Sequence, residues 1–194
     1  MKLASANLPT KYGHFKILIY QSKEDQREHA VLVKGKNLKL QSVLVRIHSQ
    51  CLTGDVFSSL KCDCRDQLIT SLIKIGRAKK GVLIYLNQEG RGIGLSNKIK
   101  AYKLQEEGLD TIEANKKLGF ASDLRDYKVA AQILKDLKLD KIVLLTNNPD
   151  KAAQLAAYGI TILRCVPIEV TPNQINKDYL KTKKQKLGHK LSLV

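Results

Sequence analysis

The chain has 194 residues, with 34 Lys and Arg against 18 Asp and Glu, so its formal net charge is +16 at pH 7. This length suits one domain with a substantial core and leaves little room for a second. No apolar run approaches the length of a membrane span, so no membrane partner is expected. The positive charge predicts an acidic partner, such as nucleic acid, an anionic surface or a polyphosphate. Aromatic residues are few and Trp is absent, which disfavours a single-strand binder that stacks bases.

The first third of the chain is β-rich, and helices then alternate with strands. Short β-branched runs predict strands at 15–20, 30–33 and 43–47. The elements predicted after them are a helix at 66–80, a strand at 82–86, a helix at 95–107, a strand at 141–146, a helix from 148 to 159, a strand at 160–170 and a basic helix at about 176–190. This order predicts an α/β fold with α+β character at the N-terminus. We expect a single domain over residues 1–194, with a mixed β-sheet flanked by helices.

Three cysteines, Cys51, Cys62 and Cys64, lie close together in a chain that has only four. Three protein ligands are typical of catalytic zinc sites, which keep an open coordination position, whereas structural sites use four. A disulfide between Cys51 and Cys62, or unliganded buried thiols, are the alternatives. The N-terminal segment lacks the apolar region of an export signal, so we expect a cytoplasmic protein, in which structural disulfides are rare. Cys165 lies in a predicted strand and is expected to pack there.

The Cys62-Asp-Cys64 spacing favours the metal, since side chains at i and i+2 of an extended segment point the same way. Two loops that follow predicted strands add candidate anion sites. The glycine-rich loop 90–94 matches neither the dinucleotide fingerprint nor the P-loop, but it precedes a helix whose N-terminus can face an anion. Residues 146–151 repeat this strand-to-helix arrangement, although Asn148 there is explained by helix capping alone. Because ligands of open α/β sheets bind at the carboxyl ends of strands, the two loops predict a polyphosphate pocket.

Taken in order, the motifs of this chain resemble those of the GTP cyclohydrolase II family. They are LPTKYGHF (8–15), RIHSQCLTGD (46–55), QEGRGIGL (88–95), NKIKAY (97–102), DTIEAN (110–115), LGF (118–120), DLRD (123–126), LLTNNP (144–149), YLKTK (179–183) and KLGH (186–189). The resemblance implies zinc-dependent hydrolysis of GTP that opens the imidazole ring and releases formate and diphosphate, the first step of riboflavin biosynthesis. The product implied is 2,5-diamino-6-(5-phosphoribosylamino)pyrimidin-4(3H)-one. The resemblance also implies one Zn²⁺ per chain, Mg²⁺ on the triphosphate and a homodimer; no nucleic-acid partner is expected.

The resemblance assigns a role to individual residues. It makes Cys51, Cys62 and Cys64 the zinc ligands. It makes Arg125 a nucleophile on the α-phosphate, gives Asp123 proton transfer beside it, and places Tyr102 in ring opening and formate loss. Because a guanidinium stays protonated at neutral pH, an electrostatic clamp is the alternative role of Arg125. The nucleotide-contacting positions it implies are Arg46, Ile47, His48, Ser49, Gln50, Gln67, Glu89, Gly90, Arg91, Thr111, Thr146 and Lys151. From spacing alone, Asp123 and Arg125 predict only a surface ion pair or cap, and His48 predicts a structural histidine.

Two positions depart from the family pattern, which has Glu at Gln50 and Gly at Arg65. The first change removes a carboxylate beside the metal; the second is incompatible with a backbone of positive φ, or else adds a cation near the metal. A divergent relative that gives a formylated product, or that binds GTP without turnover, therefore stays open. So does a basic nucleic-acid-binding module with a closed zinc site, for which Cys165 is the only spare thiol. Three thiolates make a formally negative site, and we expect nearby cations such as Arg91 to offset it.

Overall fold

The computed structural model describes residues 1–38 and 42–194 and contains a seven-stranded mixed sheet flanked by helices. The strands are β1 (Lys2–Thr10), β2 (Gly13–Gln21), β3 (Glu28–Lys34), β4 (Val43–Ser49), β5 (Gly81–Leu86), β6 (Lys141–Leu145) and β7 (Thr161–Val166). The α-helices are α1 (Leu52–Asp55), α2 (Cys64–Arg77), α3 (Leu95–Glu106), α4 (Thr111–Lys117), α5 (Lys128–Asp136), α6 (Pro149–Ala157) and α7 (Lys177–Leu187). The fold class predicted from the sequence is confirmed.

The sheet has an antiparallel half and a parallel half, in the order β1-β2-β3-β5-β4-β6-β7. The strands β1, β2 and β3 form an antiparallel meander that continues onto β5. The strands β5, β4, β6 and β7 are parallel. Parallel strands end at the same edge, so the loops that follow β4, β5 and β6 meet there. These loops contain Cys51, Glu89 and Thr146.

Two apolar clusters cover the two faces of the sheet. On one face, Ile47, Ile84 and Leu144 of the central strands pack with Leu134 of α5 and Leu155 of α6. On the other face, Ile75 of α2 packs with Phe15, Leu83 and Leu145. Strands buried on both faces read as continuous apolar runs, which is why the sequence revealed them. The covered sheet provides a rigid support for the loops at its carboxyl edge.

Several elements differ from the sequence prediction, and the short helix α1, which was not predicted, is one of them. The strand β1 was missed because most of its side chains are exposed, so it shows no alternation of apolar and polar residues. The helix α2 begins at Cys64 instead of residue 66. The short helix α4 was not predicted, although Asp110 and Glu113 form a capping box at its start. Within the described residues, no helix combines the length and the apolar character needed to cross a membrane.

Candidate active site

The thiols of Cys51, Cys62 and Cys64 converge at the carboxyl edge of the sheet. Their three Sγ atoms lie within 4.8 Å of one another. The Sγ atoms of Cys51 and Cys62 are 3.7 Å apart, well beyond the S–S bond length of about 2.05 Å, so both are free thiols. Cys51 directly follows β4 and Cys64 is the first residue of α2. Because Cys64 is helical, the extended-segment argument for this pair was wrong, although the predicted convergence is found.

The cluster has three members among the residues that the structure describes; no fourth Cys, His, Asp or Glu joins it there. Cys165 lies exposed on β7, so the prediction that it packs in the interior was wrong. It faces outward because β7 is the edge strand of the sheet and its residues are mostly exposed. A closed site with Cys165 as fourth ligand is therefore not what this geometry shows.

The surroundings of the thiols fit a zinc ion. Gly54 packs against them so closely that a Cβ atom there would lie 2.8 Å from Sγ of Cys62 and 3.2 Å from Sγ of Cys51. The carboxylate of Asp55 fixes the loop: it accepts from the backbone N–H of Cys51 at 3.0 Å and from the hydroxyl of Tyr85 at 2.8 Å. Three thiolates are a donor set that zinc favours. The residues present therefore match the metal that the motifs imply.

Lys98, on α3, is the cation that contacts the thiols. Its Nζ lies 3.1 Å from Sγ of Cys51 and 2.9 Å from Oε1 of Glu89. Hydrogen bonds from Cys62 and Cys64, together with the charge of Lys98, lower the pKa of Cys51. Arg91, which we expected in this role, instead lies with its guanidinium 5.7 Å from the centre of a tyrosine ring in α7. No local pattern distinguished Lys98 from the other lysines of this basic chain.

A cavity opens beside the thiols, and most of the predicted site residues line it. Those that line it are Arg46, His48, Ser49, Gln50, Gln67, Glu89, Gly90, Arg91, Tyr102, Thr111, Arg125, Thr146, Lys151 and the three cysteines. Two predicted residues do not line it, Ile47 and Asp123. Ile47 is a fully buried core residue whose carbonyl accepts from Nζ of Lys151 at 2.7 Å. Asp123 lies behind the lining residue Arg125 and accepts a hydrogen bond from its guanidinium.

Two buried basic side chains, Lys151 and Arg46, and the partly buried Arg125 contribute to the cavity wall. Lys151 is 4% exposed, and burial together with the charges of Arg46 and Arg125 holds its pKa well below the usual value. Burial also lowers the pKa of Arg46 to about 10. Nε of Arg125 donates to Oδ1 of Asp123 at 2.8 Å, and although burial opposes it, this bond lowers the pKa of Asp123. Seven Lys and Arg residues line the cavity against two Asp and Glu residues, and this excess of basic groups complements a polyphosphate.

Tyr102 lies near residues 51–55, the segment after β4 that carries Cys51 and is called the metal loop below. Its hydroxyl is 3.3 Å from Oγ1 of Thr53, which is in turn 3.7 Å from Sγ of Cys51. Burial raises the pKa of Tyr102 to about 12. The phenol therefore stays protonated near neutral pH and can donate a hydrogen bond or a proton into the cavity.

The carboxylate of Glu89 connects the metal loop to the glycine-rich loop 90–94 by hydrogen bonds. Oε2 of Glu89 accepts from the N–H of Leu52 at 2.6 Å, and its Oε1 accepts from the N–H of Gly90 at 2.8 Å. Gly90 and Arg91 both have left-handed backbones, with φ of 63° and 60°. This conformation is costly for Arg91, which has a Cβ, and such strain persists where surrounding contacts enforce it.

The structure also shows how the two unusual residues are accommodated. Arg65 lies within α2 and is absent from the described non-glycine residues with positive φ, so replacing Gly there causes no backbone strain. Its Nη1 donates to the carbonyl of Asp55 at 2.7 Å, which ties α2 to the metal loop. Gln50 lines the cavity, and its N–H donates to the carbonyl of Leu86 at 2.8 Å.

Several cavity residues were not assigned from the sequence. They are Lys61, Asp63, Lys98, Asn115, Asn147, Asn148, Tyr179, Lys183 and His189. Tyr179, Lys183 and His189 come from the C-terminal segment and fall in the motifs 179–183 and 186–189, which were the available signal. Their positions in the cavity could not be deduced because the contacts that bring α7 there are remote in sequence.

An α/β sheet that carries three thiols able to hold a metal ion and a basic cavity at its carboxyl edge points to an enzyme that acts on a nucleotide. Comparison with known proteins gives the family. The model of the family described as GTP cyclohydrolase II matches residues 1–167. The chain belongs to this family, so the enzyme family predicted from the motifs is confirmed.

Curated relatives are close over nearly the whole chain. It is 56% identical over 192 residues to the riboflavin biosynthesis protein RibBA of Bacillus cytotoxicus, covering 99% of this chain and 48% of the relative. With RibBA of Chlorobium phaeovibrioides it is 53% identical over 191 residues, covering 98% of this chain and 47% of the relative. The chain thus spans about half the length of the curated relatives it matches. The solved structure of RibBX from A. baumannii, a two-domain 3,4-dihydroxy-2-butanone 4-phosphate synthase, gives a TM-score of 0.40 at 22% identity, covering 75% of this chain and 34% of that one.

Proposed function

We propose that this chain catalyses the GTP cyclohydrolase II reaction, the first step of riboflavin biosynthesis. Zinc-dependent hydrolysis of GTP opens the imidazole ring, releases formate and diphosphate, and gives 2,5-diamino-6-(5-phosphoribosylamino)pyrimidin-4(3H)-one. One observation carries the proposal: a three-thiol site and a group of buried cations line the same cavity. A hydrolytic metal site and a receptor for a polyanion are the two parts that this reaction needs.

The thiols and their neighbours serve the hydrolytic steps. Cys51, Cys62 and Cys64 would hold one zinc ion per chain, which would supply the Lewis acidity that lowers the pKa of a water. Lys98 offsets the negative charge of the thiolates. The protonated phenol of Tyr102 positions the water needed for formate loss and donates a proton to the departing amine.

Arg46, Arg125 and Lys151 receive the triphosphate, which arrives with Mg²⁺. The hydrogen bonds of Asp123 and the negative charges around Arg125 raise the pKa of this guanidinium against the effect of burial. A guanidinium that holds its proton this firmly is a poor nucleophile. We therefore assign Arg125 the role of an electrostatic clamp on the α-phosphate, with Asp123 orienting it. The remaining nucleotide contacts come from the cavity residues given above, with Ile47 contributing backbone only.

The proposal extends to assembly and location. We propose one domain over residues 1–194 that forms a homodimer. Val56, Phe57 and Leu60, between two of the metal ligands, are 60%, 69% and 57% exposed, and such an apolar patch is typical of an interface. A site that needs three reduced thiols favours the cytoplasm, where thiols stay reduced.

A product assay tests the function. Zinc-loaded protein is incubated with GTP and Mg²⁺, and products are identified by mass spectrometry. We expect formate, diphosphate and the pyrimidine, with loss of all three in Cys62→Ser and retention in the matched control Cys165→Ser. Intact GTP with the zinc-loaded protein would refute the proposal. A formylated pyrimidine as the end product would instead identify a divergent relative.

A further inference from the structure

The C-terminal helix α7 forms part of the cavity wall, although it lies beyond the residues 1–167 that the family model matches. Tyr179, Lys183 and His189 from this segment all line the cavity. Lys183 is 9% exposed, which is unusual for a lysine on a helix as polar as α7. A lysine is buried at this level only when it is paired with an acidic group, so the residue that pairs with Lys183 indicates the role of Lys183.

The partner of Lys183 is Asp63, the residue between two metal ligands. Nζ of Lys183 lies 2.8 Å from Oδ1 of Asp63. The other oxygen, Oδ2, accepts from Nε2 of Gln67 at 2.5 Å. Both charged side chains are buried, with 11% and 6% of their surface exposed. In such a place the loss of one partner leaves an uncompensated charge.

From Asp63 the hydrogen bonds continue to the far wall of the cavity. Oε1 of Gln67 accepts from Nη2 of Arg46 at 2.6 Å, and Nη1 of Arg46 donates to the carbonyl of Leu145 at 3.0 Å. This order of charges fixes the Gln67 amide. Its NH₂ group faces the carboxylate of Asp63 and its oxygen faces the guanidinium of Arg46. A flipped amide would place its oxygen against the carboxylate and its NH₂ group against the guanidinium, and both hydrogen bonds would be lost.

The helix is also attached at its C-terminal end and through the residues that follow it. Lys186 pairs with Asp110, the N-cap residue of α4. After the helix, the N–H of Lys190 donates to the carbonyl of Asn147 at 2.8 Å. The N–H of Ser192 donates to Glu169 at 2.7 Å. These contacts join α7 to the loop after β6 and to α4, which holds Lys183 in place over Asp63.

We propose that α7 is a working part of the active site and that Lys183 is a positioning residue within it. Through Asp63 it orients the Gln67 amide and the Arg46 guanidinium on the cavity wall and holds the turn that carries Cys62 and Cys64. The inference rests on the proposed function, because it assigns Gln67 and Arg46 to nucleotide binding and the cysteines to zinc.

The experiment compares Lys183→Met with three variants. Lys181→Met is the matched control, since Lys181 lies on the same helix with 46% of its side chain exposed and pairs with Asp178 of that helix. Lys183→Arg keeps the cation. Lys183→Met with Asp63→Asn removes both charges while an amide oxygen remains for Gln67. Each variant is measured for zinc release to a chromophoric chelator, for the Kd of a non-hydrolysable GTP analogue and for thermal unfolding.

We expect Lys183→Met to release zinc about 10-fold faster and to bind the analogue about 10-fold more weakly, the range seen when residues supporting a metal site are lost. The double variant should recover most of both losses, because the charge left unpaired by the first change is gone. Lys183→Arg and Lys181→Met should resemble the unmodified protein. Should Lys183→Met fail to fold, Lys183→Arg and the double variant still provide the comparison, and a folded double variant with both properties near normal supports the inference.

Two results would overturn the inference. One is a folded Lys183→Met protein with unchanged zinc release and analogue binding. The other is a loss that Asp63→Asn does not relieve, since Lys183 would then contact the nucleotide directly or only stabilise the helix. Zinc release needs no turnover, so it judges this inference separately: a protein that makes no product yet shows the predicted zinc pattern refutes the proposed function alone.

Discussion

Replacing Lys98 by Met should make zinc binding depend more steeply on pH. The cation lies 3.1 Å from Sγ of Cys51, and a unit charge at about 4 Å contributes about 4 kcal/mol at an effective dielectric constant of about 20. The carboxylate of Glu89 lies 2.9 Å from the same Nζ and cancels part of this. We therefore expect the thiol pKa to rise by about one to two units on removal of Lys98, which corresponds to about 1.4–2.8 kcal/mol.

The sign follows from the requirement that zinc binds thiolate and not thiol. A higher thiol pKa leaves more protons to displace at lower pH, so the apparent zinc affinity of Lys98→Met should fall about 10- to 100-fold near pH 6.5. The difference in zinc affinity between Lys98→Met and the unmodified protein should shrink as the pH rises through the thiol pKa. Competition with a chromophoric chelator across this range measures it, with Lys98→Arg expected to retain affinity and the exposed Lys100→Met, on the same helix, as control. An affinity loss of equal size at every pH would show that Lys98 acts by packing and refute the electrostatic argument.

Three further predictions concern zinc content and proton uptake. Gly54→Ala should lower zinc content, measured by elemental analysis, because its Cβ would lie 2.8 Å from Sγ of Cys62; full occupancy would contradict this. GTP binding should take up a proton through Lys151, since burial lowers its pKa in the free protein and a nearby phosphate raises it again. Calorimetry in buffers of different ionisation enthalpy should show the uptake in the unmodified protein and its loss in Lys151→Met. Cys165→Ser should leave zinc content unchanged, because this thiol is exposed on β7 and outside the cluster.

The sequence predicted the parts of the site that depend on local signals. The strand-to-helix loops at Glu89 and Thr146 were visible from apolar runs followed by glycine or proline, and the rule that parallel strands end at one edge brought them together correctly. The cysteines were visible from their spacing. Lys98 and Lys183 fall in the motifs 97–102 and 179–183, but the sequence did not assign them a role. Each is one of many basic residues and gains its role only from a partner distant in the chain.

Glu89 is hydrogen bonded to both the thiol site and the glycine-rich loop, so we expect a change at one to affect the other. Its carboxylate accepts from the backbone of Leu52 on the metal loop, from the backbone of Gly90, and from Lys98, which in turn contacts Cys51. A change of charge at the thiols therefore alters the force on a carboxylate that also holds Gly90 and Arg91 in left-handed conformations. Three hydrogen bonds to the buried carboxylate of Glu89 thus connect zinc binding at the thiols with the conformation of the glycine-rich loop. The proposed function also needs a formally negative thiolate site and a polyanion in one cavity. Lys98 lies at the thiols and offsets their charge, while Arg46 and Arg125 provide separate positive charge and Lys151 gains a proton when phosphate binds.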